Sequence, residues 1–249
     1  PHRRHACACS RGPMARAKST IKDMLPPQWL GVYVNADEIE KAIRTDGFLN
    51  LADFDVLADA AELQAFLEAS TLLAKAGLLP QVKQLTVVDG KVGFGAVVVN
   101  SYWASVLADF IRHKLLASQV SFTFETVMSS PDKVEFLHKA QQAGYRTYLY
   151  FVATEDAEIN VARVQYRVET GGHPVAEDKI RSRYVRSLEL LPQAVAYADR
   201  AYIFDNSGSE RVWIAEVTDG VEIEMKADEM PAWFKTALWD KFEPEDSAP

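Results

Sequence analysis

From Phe122 onward the chain alternates short apolar runs with helical segments, and that rhythm limits the folds open to it. Phe122 to Thr126 reads as a strand, and Pro131 to Ala143 as a helix stopped by Gly144. Tyr148 to Ala153 is a strongly apolar strand, and Asp156 to Val168 a helix. Ala201 to Phe204 is a further strand, closed by Asp205-Asn206-Ser207-Gly208. Upstream, Trp29 to Asn35 reads as a buried strand feeding a helix from Glu38 to Ile43. Strands separated by helices pair most readily in parallel, because each crossover helix returns the chain to the same edge. The expectation is one α/β domain over residues 1–249, a parallel sheet covered by helices on both faces.

Two regions break the alternation. Leu57 to Leu79 is helical, with Leu63, Phe66, Leu67 and Leu73 on one side. Gln84 to Val99 follows, where Asp89-Gly90 between β-rich runs signals a hairpin. Asn100-Ser101 then caps a helix with Tyr102, Val106, Phe110 and Ile111 at helical spacing. Residues 46–118 are therefore expected to be a helix–hairpin–helix insertion. After Ser207 a hairpin is expected (Val212 to Thr218, Val221 to Lys226), then an amphipathic tail with Trp233, Phe234 and Trp239 packed on the domain. Residues 243–249 read as a disordered tail.

The net charge of -8 argues against a dedicated nucleic-acid binder, whose footprint is usually basic. No apolar run reaches the roughly 20 residues that span a bilayer, and the N-terminal arginines lack an apolar signal core. Cys7 and Cys9 stand too close for a comfortable disulfide, and a reducing cytoplasm is the expected location.

Against this acidic background, residues 155–192 stand out. Arg163 and Arg167 lie four apart on one helix face, where like charges repel by about 0.2–0.5 kcal/mol. A second helix begins after Pro174 and carries Lys179, Arg181, Arg183 and Arg186. Gly171-Gly172-His173 joins the two, and His173 reads as a turn residue. Two short arginine-lined helices on a glycine hinge are what a lid over a polyanion, such as a phosphate chain, requires.

Before the Trp29 strand lies Gly12-Pro13-Met14-Ala15-Arg16-Ala17-Lys18-Ser19-Thr20. A phosphate-binding P-loop takes Gly, four residues, Gly, Lys and then Ser or Thr. Its backbone N–H groups wrap the phosphates, Lys neutralises them and the hydroxyl ligates Mg²⁺. Here the first Gly, Lys18 and Ser19 are in place, while Ala17 stands at the second Gly.

Taken in order, ValAsnAlaAspGluIle (34–39), PheGluThrVal (124–127), the ArgVal…ArgVal…GlyGlyHis lid, ArgTyrValArgSer (183–187) and PheAspAsnSerGly (204–208) resemble the zeta-toxin-like P-loop kinases. The resemblance covers about residues 12–208. It implies a nucleoside-kinase-like P-loop NTPase fold with ATP and Mg²⁺ beneath an arginine-bearing lid. It also implies phosphoryl transfer to a hydroxyl of a small molecule, a nucleotide sugar in the better-known toxins, and an antitoxin protein as partner. By motif, Gly12, Pro13, Ala17, Lys18, Ser19 and Thr20 would hold the nucleotide, with Ser19 on Mg²⁺. Asp37 would take the hydroxyl proton, and Glu125 and Thr126 would meet substrate. Arg163, Arg167, Arg181 and Arg183 would balance charge on the moving phosphoryl group. From local sequence alone, Asp37 reads equally well as a helix N-cap.

The N-terminus departs from the pattern. HisArgArgHisAlaCysAlaCysSerArg is expected to make a poor central strand, and Pro1 opens the chain as it would a fragment. Deleting one base lets codons for AsnGlyAlaGly be read as MetAlaArgAla, so a local frame disturbance would account for residues 1–17. That departure keeps two other readings open: a nucleotide-binding module with little chemistry, and an NTPase acting on a protein partner.

Overall fold

A computed structural model describes residues 4–11, 25–170 and 174–242. In chain order they form β1 (His5–Arg11), α1 (Pro27–Leu30), β2 (Val32–Asn35), α2 (Ala36–Asp46), β3 (Phe48–Asn50), α3 (Ala60–Glu68), α4 (Thr71–Lys75), β4 (Thr86–Val88), β5 (Lys91–Gly93) and α5 (Ser101–Ala117). Then come β6 (Phe122–Thr126), α6 (Pro131–Gln142), β7 (Arg146–Ala153), α7 (Ala157–Glu169), α8 (Glu177–Ala196), β8 (Arg200–Asp205), β9 (Val212–Thr218), β10 (Glu222–Met225) and α9 (Ala232–Ala237). The chain divides into two compact units, Pro1–Pro27 with Glu125–Pro249, and Gln28–Phe124.

The first unit is an α/β structure with strands in the order β10-β9-β8-β7-β1. β1, β7 and β8 run parallel, and β9 and β10 add on antiparallel. Along β7 and β8 the side chains alternate. Thr147, Leu149, Phe151, Ala201 and Ile203 are buried on one face, while half-buried Tyr150 and Tyr202 stack on the other at 4.7 Å. This is the mainly parallel, helix-flanked sheet that the alternation foretold.

β1 overturns the expectation of a poor central strand. His5 to Arg11 lies in register against Arg146 to Val152, and Ala6, Cys7 and Ala8 are buried. A parallel strand takes its hydrogen bonds from the backbone, and small side chains fit beneath close-packed neighbours. Cys7, buried and outside any disulfide, serves here as a small apolar residue.

In the second unit β2 neighbours β6, and β3, β5 and β4 form a small antiparallel sheet. The β4–β5 hairpin turns at Asp89 and Gly90, both at positive φ, as the Asp-Gly signal requires. Asn100 caps α5 by accepting from Tyr102 N–H at 3.0 Å and Trp103 N–H at 3.3 Å. The expected strand from Trp29 to Asn35 is corrected. Pro27 opens a helical turn that leaves Trp29 exposed, Gly31 reverses the chain at φ 59°, and only Val32–Asn35 is extended. Thr123 Oγ1 donates to Leu30 O at 2.6 Å, pinning that turn to β6.

Candidate functional site

Ligands of open α/β sheets bind outside the carboxyl ends of the strands. In the first unit those ends belong to β1, β7 and β8. α7 starts there, and Asp156 caps it by accepting from Glu158 N–H at 2.6 Å and Ile159 N–H at 3.2 Å. The junction ahead of it is tied from several sides. Asn160, buried in α7, donates to Thr154 Oγ1 at 2.8 Å, and Thr154 Oγ1 donates to Asp156 O at 2.8 Å. From α8, the Tyr184 hydroxyl donates to Thr154 O at 2.8 Å and Glu155 O at 3.1 Å. Burial, reinforced by the nearby Glu155, Asp156 and Asp205 charges, pushes the Tyr184 phenol above its ordinary value, so it remains a donor.

The Asp205-Asn206-Ser207-Gly208 turn closes the other side. Asp205 accepts from Ser207 N–H and Oγ–H, each at 2.8 Å, and Ser207 Oγ accepts from Glu155 N–H at 2.7 Å. Arg163, half-buried on α7, extends Nη2 to Ser207 O at 3.4 Å and Gly208 O at 3.3 Å. Both acceptors are neutral carbonyls, and a charged phosphate oxygen would be a stronger partner for the guanidinium.

The arginine helices pack through Val161, Val164, Val175 and Ile180. Arg167 on α7 and Arg183 on α8 are half-buried. Arg181 is engaged otherwise. Its Nε and Nη2 meet the two Glu158 oxygens at 2.6 and 2.9 Å, and Nη2 meets Glu177 Oε2 at 2.9 Å. The bond from Arg181 lowers the Glu158 pKa, and the Glu158 and Glu177 bonds raise that of Arg181. Glu177 also accepts from Gln165 at 2.9 Å, so Arg181 and Glu177 lace α8 to α7. The second arginine helix is not short. It runs from Glu177 to Ala196, twenty residues.

In the second unit, Asp37 is exposed in the first turn of α2. The N-cap is Asn35, whose Oδ1 accepts Asp37 N–H at 2.8 Å and Glu38 N–H at 3.3 Å. The capping alternative for Asp37 is therefore corrected. Asp37 contributes a carboxylate to the positive end of the helix. Glu125 and Thr126, both half-buried, end β6, where the Thr126 hydroxyl has Val127 O at 3.4 Å. Gly12, Pro13, Ala17, Lys18, Ser19 and Thr20 lie outside the described residues, as do Gly171, Gly172, His173 and the 243–249 tail. Among the described residues there is no group of three or more His, Cys, Asp or Glu able to hold a metal, and no helix long and apolar enough to cross a membrane. Mg²⁺ in phosphoryl-transfer sites needs no such cage, because phosphates and water supply most of its ligands.

The sequence reading passed over Thr154, Asn160, Tyr184, Ser207 and Trp233 as site residues. An available signal was the Asp-x-Ser that ends β8, a pattern built to bond its own turn. Replacing Tyr184 with Phe should cost about 1–2 kcal/mol by leaving two carbonyls short of a donor, seen as a lowered urea midpoint at unchanged slope. An unchanged midpoint would show that the hydroxyl does not hold the junction.

A family model described as zeta toxin matches residues 95–218. An uncharacterized protein of Haemophilus influenzae is 31% identical over 72 residues, covering 29% of this chain and 51% of the relative. The chain thus spans about half the length of the curated relative it matches. Among solved structures, one from the PezAT chromosomal toxin-antitoxin system of Streptococcus pneumoniae is similar at TM-score 0.49 and 13% identity, over 98% of this chain and 81% of that one. One of AvrRxo1-ORF1:AvrRxo1-ORF2 with sulphate ions is similar at TM-score 0.47 and 15% identity, over 90% and 61%. Over residues 95–218, just under half of its length, the chain is similar to the zeta toxin family.

Proposed function

We propose that this chain is an ATP-dependent phosphotransferase that moves the γ-phosphate to a hydroxyl of a small molecule, with nucleotide sugars the first class to try. The observation that supports it most is Arg163, half-buried on α7 and reaching the turn after β8, with Arg167 and Arg183 half-buried on the same pair of helices. Three half-buried guanidinium groups in an acidic protein suit an anion that arrives and leaves.

Arg163, Arg167 and Arg183 are assigned to the phosphate chain, where fixed positive charge stabilises the loose phosphoryl transition state. Arg181 is assigned to lacing the two helices together. Lys18 would pair the β/γ-phosphates, Ser19 would touch Mg²⁺, and Gly12, Pro13, Ala17 and Thr20 would complete the phosphate cradle. Bound Mg²⁺ supplies charge neutralisation on the phosphates. Asp37 would accept the attacking hydroxyl's proton, and Glu125 and Thr126 would orient the acceptor. An antitoxin protein covering the nucleotide site is the proposed macromolecular partner, and the cytoplasm the proposed location.

Ala17 favours a second reading, a nucleotide-binding module that holds a partner and does little chemistry; an NTPase driving a protein partner is a third. Calorimetry begins the separation. Lys18→Ala is expected to weaken Mg·ATP binding by roughly 10- to 150-fold, the equivalent of about 1.5–3 kcal/mol for a charge-assisted contact. Equal affinity in the two proteins would reject the P-loop assignment.

A further inference from the structure

The family match stops at residue 218, yet a side chain beyond it reaches the site. Trp233, on α9, is buried, and its indole Nε1–H donates to Asp205 Oδ2 at 2.7 Å. The same oxygen takes the Ser207 hydroxyl at 2.8 Å, and Oδ1 takes Ser207 N–H at 2.8 Å. Asp205 is only 8% exposed. A buried carboxylate is costly unless several donors meet it, and an apolar residue ending β8 would bury more cheaply.

What the carboxylate adds is geometry. Held by Trp233, Asp205 fixes Ser207, and Ser207 Oγ fixes Glu155 N–H at 2.7 Å, just ahead of α7. The turn so fixed presents the Ser207 and Gly208 carbonyls to Arg163 at 3.4 and 3.3 Å. The Arg163 guanidinium thus meets a turn that Asp205 and Ser207 hold in place.

We propose that Asp205 and Trp233 are positioning residues for Arg163, and that the C-terminal segment carrying Trp233 is a working part of the phosphate site. The inference rests on reading Arg163 as a phosphate contact. Neither residue touches the phosphate. Each acts by narrowing the orientations of the Arg163 side chain before the anion arrives, so less side-chain entropy is lost on binding.

The test uses the full chain labelled with ¹⁵N, with the Arg163 Nε–H signal identified by its loss in Arg163→Lys. The expected result is an ordered Arg163 Nε–H in wild type that becomes mobile in Asp205→Asn and Trp233→Phe, while Arg181 Nε–H, held by Glu158, does not change. Trp233→Phe keeps most of the buried ring and removes the donor, so it reads the proposal even where Asp205→Asn does not fold. Mg·ATP affinity is measured on the same proteins. Each variant should weaken it about three- to tenfold, and neither should weaken it further once Arg163 is already Lys. If Arg163 stays as ordered in Trp233→Phe as in wild type, the positioning role is overturned, whether or not ATP binds. Equal loosening of Arg163 and Arg181 would also overturn it, since that marks general destabilisation. If wild type binds no Mg·ATP while Arg163 order still depends on Trp233, positioning stands and the phosphate reading fails.

Discussion

Asp37→Asn, made together with Ala17→Gly to restore the family's P-loop glycine, is expected to cut phosphoryl transfer by roughly 10²–10⁴-fold and leave Mg·ATP affinity nearly intact. A general base acts on the acceptor hydroxyl and contributes mainly in the transition state, so the loss should fall on turnover. Asn keeps the shape of the side chain and removes its basicity. The helix end does not confound the result, because Asn35, not Asp37, accepts the first free N–H groups of α2. The change removes one carboxylate from the first helical turn, worth only about 0.3–1 kcal/mol of stability at an exposed site. ATP consumption is followed against a panel of nucleotide sugars and free sugars. Equal turnover with and without the Asp37 carboxylate, in protein that binds ATP, would remove Asp37 from the chemistry and leave the binding-module reading ahead.

Gly31→Ala is expected to destabilise the second unit by about 3–5 kcal/mol, the sum of a forced left-handed backbone and a steric clash. Gly31 sits at φ 59°, and a Cβ there would lie 2.3 Å from Ser121 O and 2.6 Å from Ser121 C. Both obstacles are backbone atoms that cannot rotate away. Val32 N–H donates to that same Ser121 carbonyl at 3.0 Å, so moving it would break the first bond joining β2 to the strand beside it. Gly47→Ala is the comparison. It too has positive φ, at 78°, but its added Cβ meets nothing within 4 Å, so only the conformational cost remains. Urea unfolding of both variants checks the difference, and equal losses at the two sites would show that the close approach to Ser121 does not matter.

Local chemistry announced itself well in this chain. The alternation of apolar runs with helical periods determined the α/β class, because strand and helix periods are written in neighbouring residues. Asn100 and Asp156 were legible as helix starts, and Asp89-Gly90 as a hairpin, because caps and tight turns are built within three or four residues. The arginine helices and the likeness to the zeta toxin family over residues 95–218 were legible for the same reason, as short motifs in order.

The failures share one cause, which is that their determinants lie far apart in sequence. β1 looked too polar and too small to be a strand, and only its register against β7 makes Ala6, Cys7 and Ala8 suitable. Trp29 looked like strand because nothing local reveals that Gly31 must pass against Ser121. Arg181 looked equivalent to Arg163 until α7 and α8 packed, when Glu158, 23 positions away, claimed its guanidinium. Asp205 and Trp233, separated by 28 positions, became partners only when α9 packed back toward the end of β8. By itself the sequence determined the class of fold and the stock of charged groups, since these depend on neighbours along the chain. Tertiary structure alone decided which arginine is tied into an ion pair, which is set beside the strand ends, and which indole meets the buried Asp205 carboxylate, because partners are selected by distance in space.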